Sequence, residues 1–348
     1  MAQAASVEFI GVEKKFGSVT AVRDVSFTVE AGTLVTLLGP SGCGKTTTLR
    51  LVAGLELATG GKIMIGDRDV TALGAAERDV SMVFQSYALF PHMNVLDNVM
   101  YGPLVSGASR RDAEAMAREK LSIIGLSGFE KRLPSELSGG QQQRVAVARA
   151  IVLEPSVLLF DEPLSNLDAK LRRKVRDDIR DLQQRLGLTV LYVTHDQQEA
   201  LAVSDKVIVM DNAVIAQEGT PADLYEQPRT RFLADFIGEA NIVEGTFGRD
   251  ASGVTFEIGG VAMSLGDIPL PEAARAVALR PDRINLRLDP NGAFTITRAA
   301  YIGHSREYTV AAPWGEMLVI RPVRERALSA GTKVALEIDA NAAIAIPG

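Results

Sequence analysis

The stretch LVTLLGPSGCGKTT, residues 34–47, decides the fold of the first part of this chain. An apolar run, Leu34–Leu38, leads into a loop that fits the pattern G-x-x-x-x-G-K-[ST]. The fixed positions of this pattern are Gly39, Gly44, Lys45 and Thr46. Glycines let the backbone curl so that successive N–H groups converge on phosphate oxygens, and a helix that follows offers its N-terminus to the same anion. The stretch therefore predicts a buried strand, a phosphate-binding loop and a helix over Lys45–Ala53.

The whole loop is expected to contribute to the phosphate site. Lys45 is expected to reach the β- and γ-phosphates of a nucleotide, and the Thr46 hydroxyl is expected to bind Mg²⁺. Cys43 lies near a helix N-terminus, where the pKa of a thiol tends to fall. The alternative is a glycine-rich turn with an incidental lysine, which the strand before it and the helix after it disfavour. The predicted phosphate-binding residues are Gly39, Pro40, Ser41, Gly42, Cys43, Gly44, Lys45, Thr46 and Thr47.

Two carboxylates end a second apolar run. The run reads VLLFDE, and it ends in Asp161 and Glu162. A carboxylate at the end of a buried strand costs desolvation energy unless a cation or hydrogen-bond donors meet it. Asp161 is therefore expected to hold Mg²⁺, directly or through water, and Glu162 is expected to polarise the attacking water. Two acids after a strand are common, so this assignment depends on the phosphate loop.

The pentapeptide LSGGQ, Leu137–Gln141, precedes a predicted helix over Gln142–Val152. A serine and two glycines at a helix start form another geometry suited to an anion. Local chemistry leaves an alternative open, in which the serine is only a helix N-cap. The predicted ligand-binding residues of this segment are Ser138, Gly139, Gly140 and Gln141.

Taken in this order and spacing, the three motifs closely resemble those of ATP-binding cassette (ABC) ATPases over about the first 240 residues. The resemblance implies an adenine-stacking role for Phe16, where the family more often has Tyr, and a Mg²⁺-sensing, catalytic role for Gln85 at the contact with a membrane partner. It implies that SNLD, Ser165–Asp168, joins two sites, although Ala is commoner than Asn166. It also implies that His195 is a switch contacting the γ-phosphate. Phe16 could otherwise be a core aromatic and His195 a surface histidine.

The resemblance also implies partners. LSGGQ of one subunit would close over ATP held by the other, in a head-to-tail homodimer. A separate transmembrane permease would dock near Gln85–Gly102, whose apolar residues could alternatively pack between lobes. A periplasmic or lipid-anchored solute-binding protein would act indirectly. The chain itself would lie at the cytoplasmic face of the inner membrane as a peripheral subunit.

Composition supports a globular protein of about two domains, since the chain has 348 residues, 47% hydrophobic and 23% charged. One cysteine excludes an internal disulfide framework. The start of the chain lacks the pattern of a signal peptide, and no apolar run approaches the ~20 residues of a membrane helix. The net charge of −6 argues against a nucleic-acid partner, which would favour a basic face.

The predicted fold class is α/β: a P-loop NTPase cassette over residues 1–238, with a mostly parallel sheet and a helical subdomain, then a small all-β, barrel-like domain over 239–348. The second region resembles the TOBE-like accessory domain of importer ATPases, through RTRFLADFIGEANIVEG, Arg229–Gly245, and LRPDRINL, Leu279–Leu286. The predicted function is an ATPase that energises uptake of ferric iron, a polyamine or a phosphonate-like solute. The alternatives are a soluble ABC ATPase acting on nucleic acid or ribosomes, and a nucleotide-binding module without turnover.

Overall fold

The fold is given by a computed structural model, which describes residues 4–250, 253–266, 268–339 and 342–347. The chain divides into two compact units, the N-terminal unit Met1–Pro221 and the C-terminal unit Ala222–Gly348. The described residues form eight α-helices: α1 Lys45–Ala53, α2 Val95–Val105, α3 Arg110–Ile123, α4 Gly139–Ile151, α5 Ala169–Leu186, α6 Gln197–Val203, α7 Pro221–Glu226 and α8 Arg231–Phe236.

The strands fall into two groups along the chain. Those of the N-terminal unit are β1 Val7–Phe16, β2 Val19–Val29, β3 Leu34–Leu38, β4 Gly60–Ile65, β5 Arg68–Asp69, β6 Val80–Val83, β7 Val157–Asp161, β8 Thr189–Val193, β9 Lys206–Asp211 and β10 Val214–Gly219. Those of the C-terminal unit are β11 Asn241–Glu244, β12 Thr246–Asp250, β13 Gly253–Ile258, β14 Val261–Gly266, β15 Ala274–Leu279, β16 Ile284–Leu288, β17 Phe294–Tyr301, β18 Ser305–Ala312, β19 Gly315–Pro322, β20 Lys333–Ile338 and β21 Ala343–Pro347.

A six-stranded sheet in the order β10-β9-β3-β8-β7-β6 forms the centre of the N-terminal unit. Its inner pairs are parallel, and only the β9–β10 pair is antiparallel. Every residue of β3 and β8 is buried, as expected of parallel strands covered on both faces. The mostly parallel sheet predicted from the sequence is therefore present.

Two further layers complete this unit. A four-stranded antiparallel sheet, β2-β1-β4-β5, packs on one side and shares a hydrophobic core with the central sheet. Helices α2, α3 and α4 enclose a separate core that includes Val99, Leu121 and Val145. This second core corresponds to the predicted helical subdomain, whereas the antiparallel sheet was not foreseen from the sequence.

The C-terminal unit is antiparallel throughout its described strand pairs. Its strands form sheets β11-β15-β21, β12-β13-β14 and β16-β20-β17-β18-β19 around one hydrophobic core. Burial alternates in the second half of β18, where Tyr308 and Val310 are buried and the residues beside them are more exposed. Alternating burial is typical of sheets with one solvated face. The predicted all-β character of this region is confirmed.

The two compact units divide earlier in the chain than the predicted boundary at 238/239. The reason is Arg280, which is fully buried and donates hydrogen bonds to the carbonyls of Ala234 and Ile237 in and after α8. It also donates to the carbonyl of Tyr225 in α7 and stacks on that ring. The two short helices before residue 238 are thereby attached to the β-rich unit.

Among the residues that the structure describes, no helix is both long enough and apolar enough to cross a membrane.

Candidate active site

Four loops meet at one edge of the central sheet. Strands β6, β7, β8 and β3 are parallel neighbours, and Asp161 at the end of β7 lies level with Val193 at the end of β8. The carboxyl ends of parallel strands lie at the same edge of a sheet, which is where such folds bind ligands. The loops that follow these strands carry the predicted site residues: Gln85, Glu162, His195 and the segment 39–47.

The loop at 39–47 is curled tightly enough to require glycine at two positions. Gly44 has φ of 105°, and a Cβ there would overlap the carbonyl oxygen of Ala21. A Cβ on Gly39 would overlap the carbonyl oxygen of Met210. Neither Ala21 nor Met210 could be connected with the loop from the sequence, because the contact is made by backbone atoms. These close backbone contacts hold the loop in its curled form just before α1 begins, as the phosphate-binding motif predicts.

Lys45 begins α1 and its side chain turns back over the loop. Its Nζ donates hydrogen bonds of 2.7 Å to the carbonyl of Gly39 and 2.8 Å to the carbonyl of Pro40. The residue is only 6% exposed, so the ammonium is a buried, hydrogen-bonded charge inside the curl. This is the place where the motif requires a cation facing phosphate oxygens.

Cys43 is buried in the same loop, and burial raises the pKa of its thiol, although the charge of Lys45 acts in the opposite direction. The expectation of a lowered thiol pKa was wrong. Desolvation of a thiolate outweighs the favourable effect of the helix N-terminus and of a cation that is already hydrogen-bonded to carbonyl groups.

Thr46 and Asp161 form a pair of oxygen ligands that fits a magnesium ion. The Thr46 Oγ1 lies 3.5 Å from Asp161 Oδ1. Burial raises the pKa of Asp161, Arg50 opposes this shift and Glu162 adds to it. A carboxylate that is costly to ionise is suited to a cation, and Mg²⁺ in phosphate sites is held by one or two protein oxygens with phosphate and water. The described residues contain no cluster of three or more acidic, histidine or cysteine side chains that could hold a metal ion.

Glu162 and His195 contact each other. The Glu162 Oε2 lies 3.1 Å from His195 Nδ1. Glu162 has a left-handed backbone with φ of 45°, and its N–H donates to the carbonyl of Val193. The carboxylate thereby reaches the loop after β8, where it meets the imidazole of His195. The arrangement brings together two residues that lie far apart in the sequence.

Gln85 contacts the SNLD loop, residues 165–168. The side-chain Nε2 of Gln85 donates to Ser165 Oγ at 3.2 Å, and the backbone carbonyl of Gln85 accepts from Asn166 Nδ2 at 3.0 Å. Ser165 in turn donates to the carbonyl of Glu162 at 3.0 Å. Asn166, where the family more often has Ala, therefore makes a hydrogen bond of its own in this chain.

The predicted permease-docking segment divides into buried and exposed side chains. Tyr87 is buried, while Tyr101 is exposed and its ring packs at a tilted angle against that of Phe90, with 4.7 Å between the ring centroids. Arg149 of α4 donates to the carbonyls of Tyr87 and Ala88, both of which have positive φ. No sequence pattern pointed to Arg149, since its partners are backbone atoms. Internal packing therefore accounts for Tyr87, and docking of a permease at the exposed side chains stays a prediction.

The LSGGQ segment begins α4 as a capping box. Ser138 is the N-cap: its Oγ accepts from the N–H of Gln141 at 3.4 Å, and its own N–H donates to Gln141 Oε1 at 2.9 Å. Side chains at the two glycine positions would press on α5 and the loop before it, since a Cβ on Gly139 would lie 3.0 Å from Leu167 and one on Gly140 would lie 2.9 Å from Leu171. Ser138 is thus the helix N-cap, as the alternative interpretation expected. The anion-binding role of the LSGGQ segment stays a prediction.

Phe16 ends β1 beside the β1–β2 turn. Its ring is 46% exposed, with the Lys14 ammonium 4.6 Å from the ring centroid. It is therefore not a core aromatic. An exposed ring with a cation beside it is a suitable surface for stacking a base.

A strand, a curled glycine loop with a buried lysine, and acidic residues at the edge of a parallel sheet define a P-loop nucleotide hydrolase. Comparison with known proteins refines this class: residues 22–165 match the ABC transporter family, and residues 277–346 match the TOBE domain. The chain belongs to the ABC transporter family, as an ATPase subunit with an added TOBE domain.

Relatives of this chain match over nearly its full length. It is 57% identical over 334 residues to a protein named Fe(3+) ions import ATP-binding protein FbpC 1 of Rhizobium meliloti (strain 1021), covering 95% of each chain. It is 54% identical over 335 residues to the FbpC protein of Brucella abortus (strain 2308), again covering 95% of each. A dimeric structure of the bacterial ABC transporter cassette MJ0796 matches with a TM-score of 0.55 and 31% identity, covering 62% of this chain and 98% of that one. The same cassette in a post-hydrolysis state with ADP and Pi matches equally well.

Proposed function

We propose that the chain hydrolyses ATP to drive the import of ferric iron through a separate transmembrane permease. The observation that supports this most directly is the meeting of Lys45, Asp161 and the Glu162–His195 pair at one sheet edge. The ferric-iron assignment is supported by the names of relatives that match across 95% of the chain. The same names favour an importer over a cassette protein that acts on nucleic acid.

The loop at 39–47 would bind the phosphates through its backbone N–H groups and Lys45. Thr46 and Asp161 would hold Mg²⁺, with Gln85 nearby, and the ion would supply Lewis-acid stabilisation of the phosphate oxygens. Glu162 would accept a hydrogen bond from the attacking water. His195 would donate to the γ-phosphate while its other ring nitrogen faces Glu162, which fixes the orientation of the imidazole.

We infer that two copies assemble head to tail. Ser138 and the Gly139–Gly140 pair would then approach the γ-phosphate bound by the partner, with free N–H groups at the start of α4. This proposal is supported by the dimeric structures of the cassette that this chain resembles. The exposed aromatic surface at Tyr101 would receive the permease, and the chain would be peripheral at the cytoplasmic face of the membrane. A solute-binding protein on the opposite face would deliver the iron.

An uptake experiment tests the solute assignment. A bacterial strain lacking the corresponding gene is complemented with the wild-type chain or with Glu162→Gln, and uptake of radioactive ferric iron, a polyamine and a phosphonate is measured. We expect the wild type alone to restore uptake, and only of iron. Restored uptake of the polyamine or the phosphonate instead would contradict the iron assignment while leaving the ATPase assignment intact.

A further inference from the structure

Arg172 makes three contacts that join separate parts of the active site. Its Nη2 donates to the carbonyl of Leu167 at 3.2 Å, and its Nη1 donates to Asp196 Oδ2 at 3.3 Å. Its Nε lies 3.7 Å from Glu199 Oε1, is buried and makes no hydrogen bond. The Arg172 guanidinium therefore faces three acceptors: the first is on the SNLD loop, the second on the loop after β8 and the third on α6.

Two of the three acceptors, Leu167 and Asp196, belong to segments close to a predicted functional residue. Leu167 lies in the SNLD loop, which begins next to Glu162 and whose Leu167 side chain lies against the Gly139 backbone. Asp196 is the neighbour of His195, and its Oδ1 caps α6 by accepting from the N–H of Glu199 at 3.1 Å. Arg172 is thus placed between the two loops that position the Glu162–His195 pair.

The loop around His195 has further hydrogen bonds, which attach it to β3 and to α6: the Thr194 N–H donates to the carbonyl of Leu37 at 3.3 Å. Thr194 Oγ1 donates to the buried Glu199 carboxylate at 2.8 Å and accepts from the N–H of Asp196 at 3.0 Å. These bonds fix the loop on β3 and α6 but do not connect it with the SNLD loop. Arg172 supplies that connection.

The location of Arg172 is not explained by the stability of its own helix. Asp168 is the N-cap of α5, so Arg172 lies in the first turn, where the helix dipole disfavours a cation. A partly exposed ion pair contributes little to stability by itself, so the pair with Asp196 does not account for the placement either. An arginine is suited to it for another reason: its planar fork can reach three separated acceptors at once, which lysine cannot.

We propose that Arg172 is a positioning residue that clamps the SNLD loop to the His195 loop and so keeps His195 in contact with Glu162. This inference rests on the roles proposed above for those two residues. Arg172 would not touch ATP itself. It would act through Asp196 on the imidazole and through Leu167 on the loop that adjoins the LSGGQ segment.

The test compares Arg172→Met with Arg173→Met, a matched control on the exposed face of the same helix. ATP hydrolysis, ATP affinity and the thermal unfolding midpoint are measured for both. We expect Arg172→Met to lower kcat by about 10- to 100-fold, because small displacements of catalytic groups have effects of this size. ATP affinity should stay within about twofold, since the phosphate loop is untouched. Arg172→Lys should restore part of kcat, and Arg173→Met should behave as wild type.

Histidine NMR gives a readout that a merely structural role would not move. The chain has three histidines, His92, His195 and His304, which ¹⁵N-histidine labelling and His195→Gln would assign. We expect Arg172→Met to shift only the His195 imidazole signals. Unchanged His195 signals, kcat within twofold of wild type, or equal shifts at all three histidines would each overturn the proposal. If the wild type does not hydrolyse ATP, the proposed function fails, while the selective His195 shift still tests Arg172.

Discussion

The N-terminal and C-terminal units bury polar side chains in different ways. Among its described residues, the N-terminal unit buries charged side chains both away from the site and at it, where Lys45 and Glu199 lie in or beside the loops at the edge of the parallel sheet; the others are Lys14, Arg78 and Lys120. The C-terminal unit buries one charged side chain among its described residues, Arg280, and that residue hydrogen-bonds to backbone carbonyls. Buried charges are costly and cluster where chemistry requires them. The comparison indicates that the N-terminal unit carries the reaction and that the buried charge of the C-terminal unit maintains its fold.

The largest expected effect is at Glu162. Glu162→Gln removes the group that would activate water but keeps the side-chain size, so turnover should fall by about 10²–10⁴. ATP affinity should stay within a few-fold, and an ATP-bound dimer should accumulate. Phosphate release, nucleotide titration and size-exclusion chromatography measure these, with the exposed Glu30→Gln as control. Turnover near the wild-type rate would show that Glu162 does not have this role.

A substitution at Arg280 tests whether the buried charge of the C-terminal unit maintains the fold of that unit. Arg280→Met leaves the carbonyls of Tyr225, Ala234 and Ile237 without their donor, so the free energy of unfolding of the C-terminal unit should fall by about 3 kcal/mol. Hydrogen exchange should show lost protection in α7, α8 and β15, with unchanged protection in α1. The exposed Arg298→Met should show neither effect. Loss of ATP binding with an intact C-terminal unit would contradict this division.

The alkylation rate of the Cys43 thiol reports how accessible the phosphate loop is to reagents in solution. Burial raises its thiol pKa, so less thiolate exists at pH 7, and alkylation should be on the order of tenfold slower than for a free thiol. The rate should rise with pH through a midpoint above the ordinary thiol value. ATP should slow the reaction further, and alkylated protein should not bind nucleotide. Mass spectrometry follows the labelling, with the denatured chain as reference. Equal rates with and without ATP would place the thiol outside the nucleotide site.

Mixed dimers test whether the site is shared between chains. One subunit carries Lys45→Ala and the other Ser138→Arg. If sites are composite, one site has both changes and the other has none, so trapping of nucleotide with a transition-state mimic should persist at one site. With both changes on one chain, each composite site has one change and trapping should fail. The reverse pattern would mean that each chain uses its own LSGGQ segment.

The smallest expected effect is on ATP binding after removal of the C-terminal unit. Chains ending at Pro221 or at Ile237 should both bind ATP within about twofold of wild type, because the phosphate loop is far from the cut in the sequence. The chain ending at Ile237 should aggregate more, since it retains the apolar side chains of Leu224 and Leu233 without the unit that buries them. Equilibrium nucleotide binding and light scattering distinguish the two. Loss of ATP binding in a shortened chain that is still folded would contradict the assignment of ATP binding to the N-terminal unit alone.

The sequence predicted those features that local patterns encode. β3 and α1 have the predicted bounds, because a continuous apolar run and a glycine loop mark them without ambiguity. The all-β class of the C-terminal unit could be predicted from its short apolar runs and glycine-rich turns. The place where the two units divide could not be predicted, because Arg280 holds α7 and α8 through hydrogen bonds to backbone carbonyls. The 3.1 Å contact of Glu162 with His195 depends on the neighbouring positions of β7 and β8, which spacing alone does not give.

The left-handed backbone at Glu162 has an evolutionary consequence. A residue other than glycine in this conformation costs on the order of 1 kcal/mol, so glycine at this position would relieve strain while removing the carboxylate. Selection for folding alone therefore favours the loss of Glu162, and selection for turnover opposes it. If Glu162 activates the attacking water as proposed, stability has been traded for activity at this position, and a copy of this chain no longer under selection for turnover would be expected to lose this glutamate early.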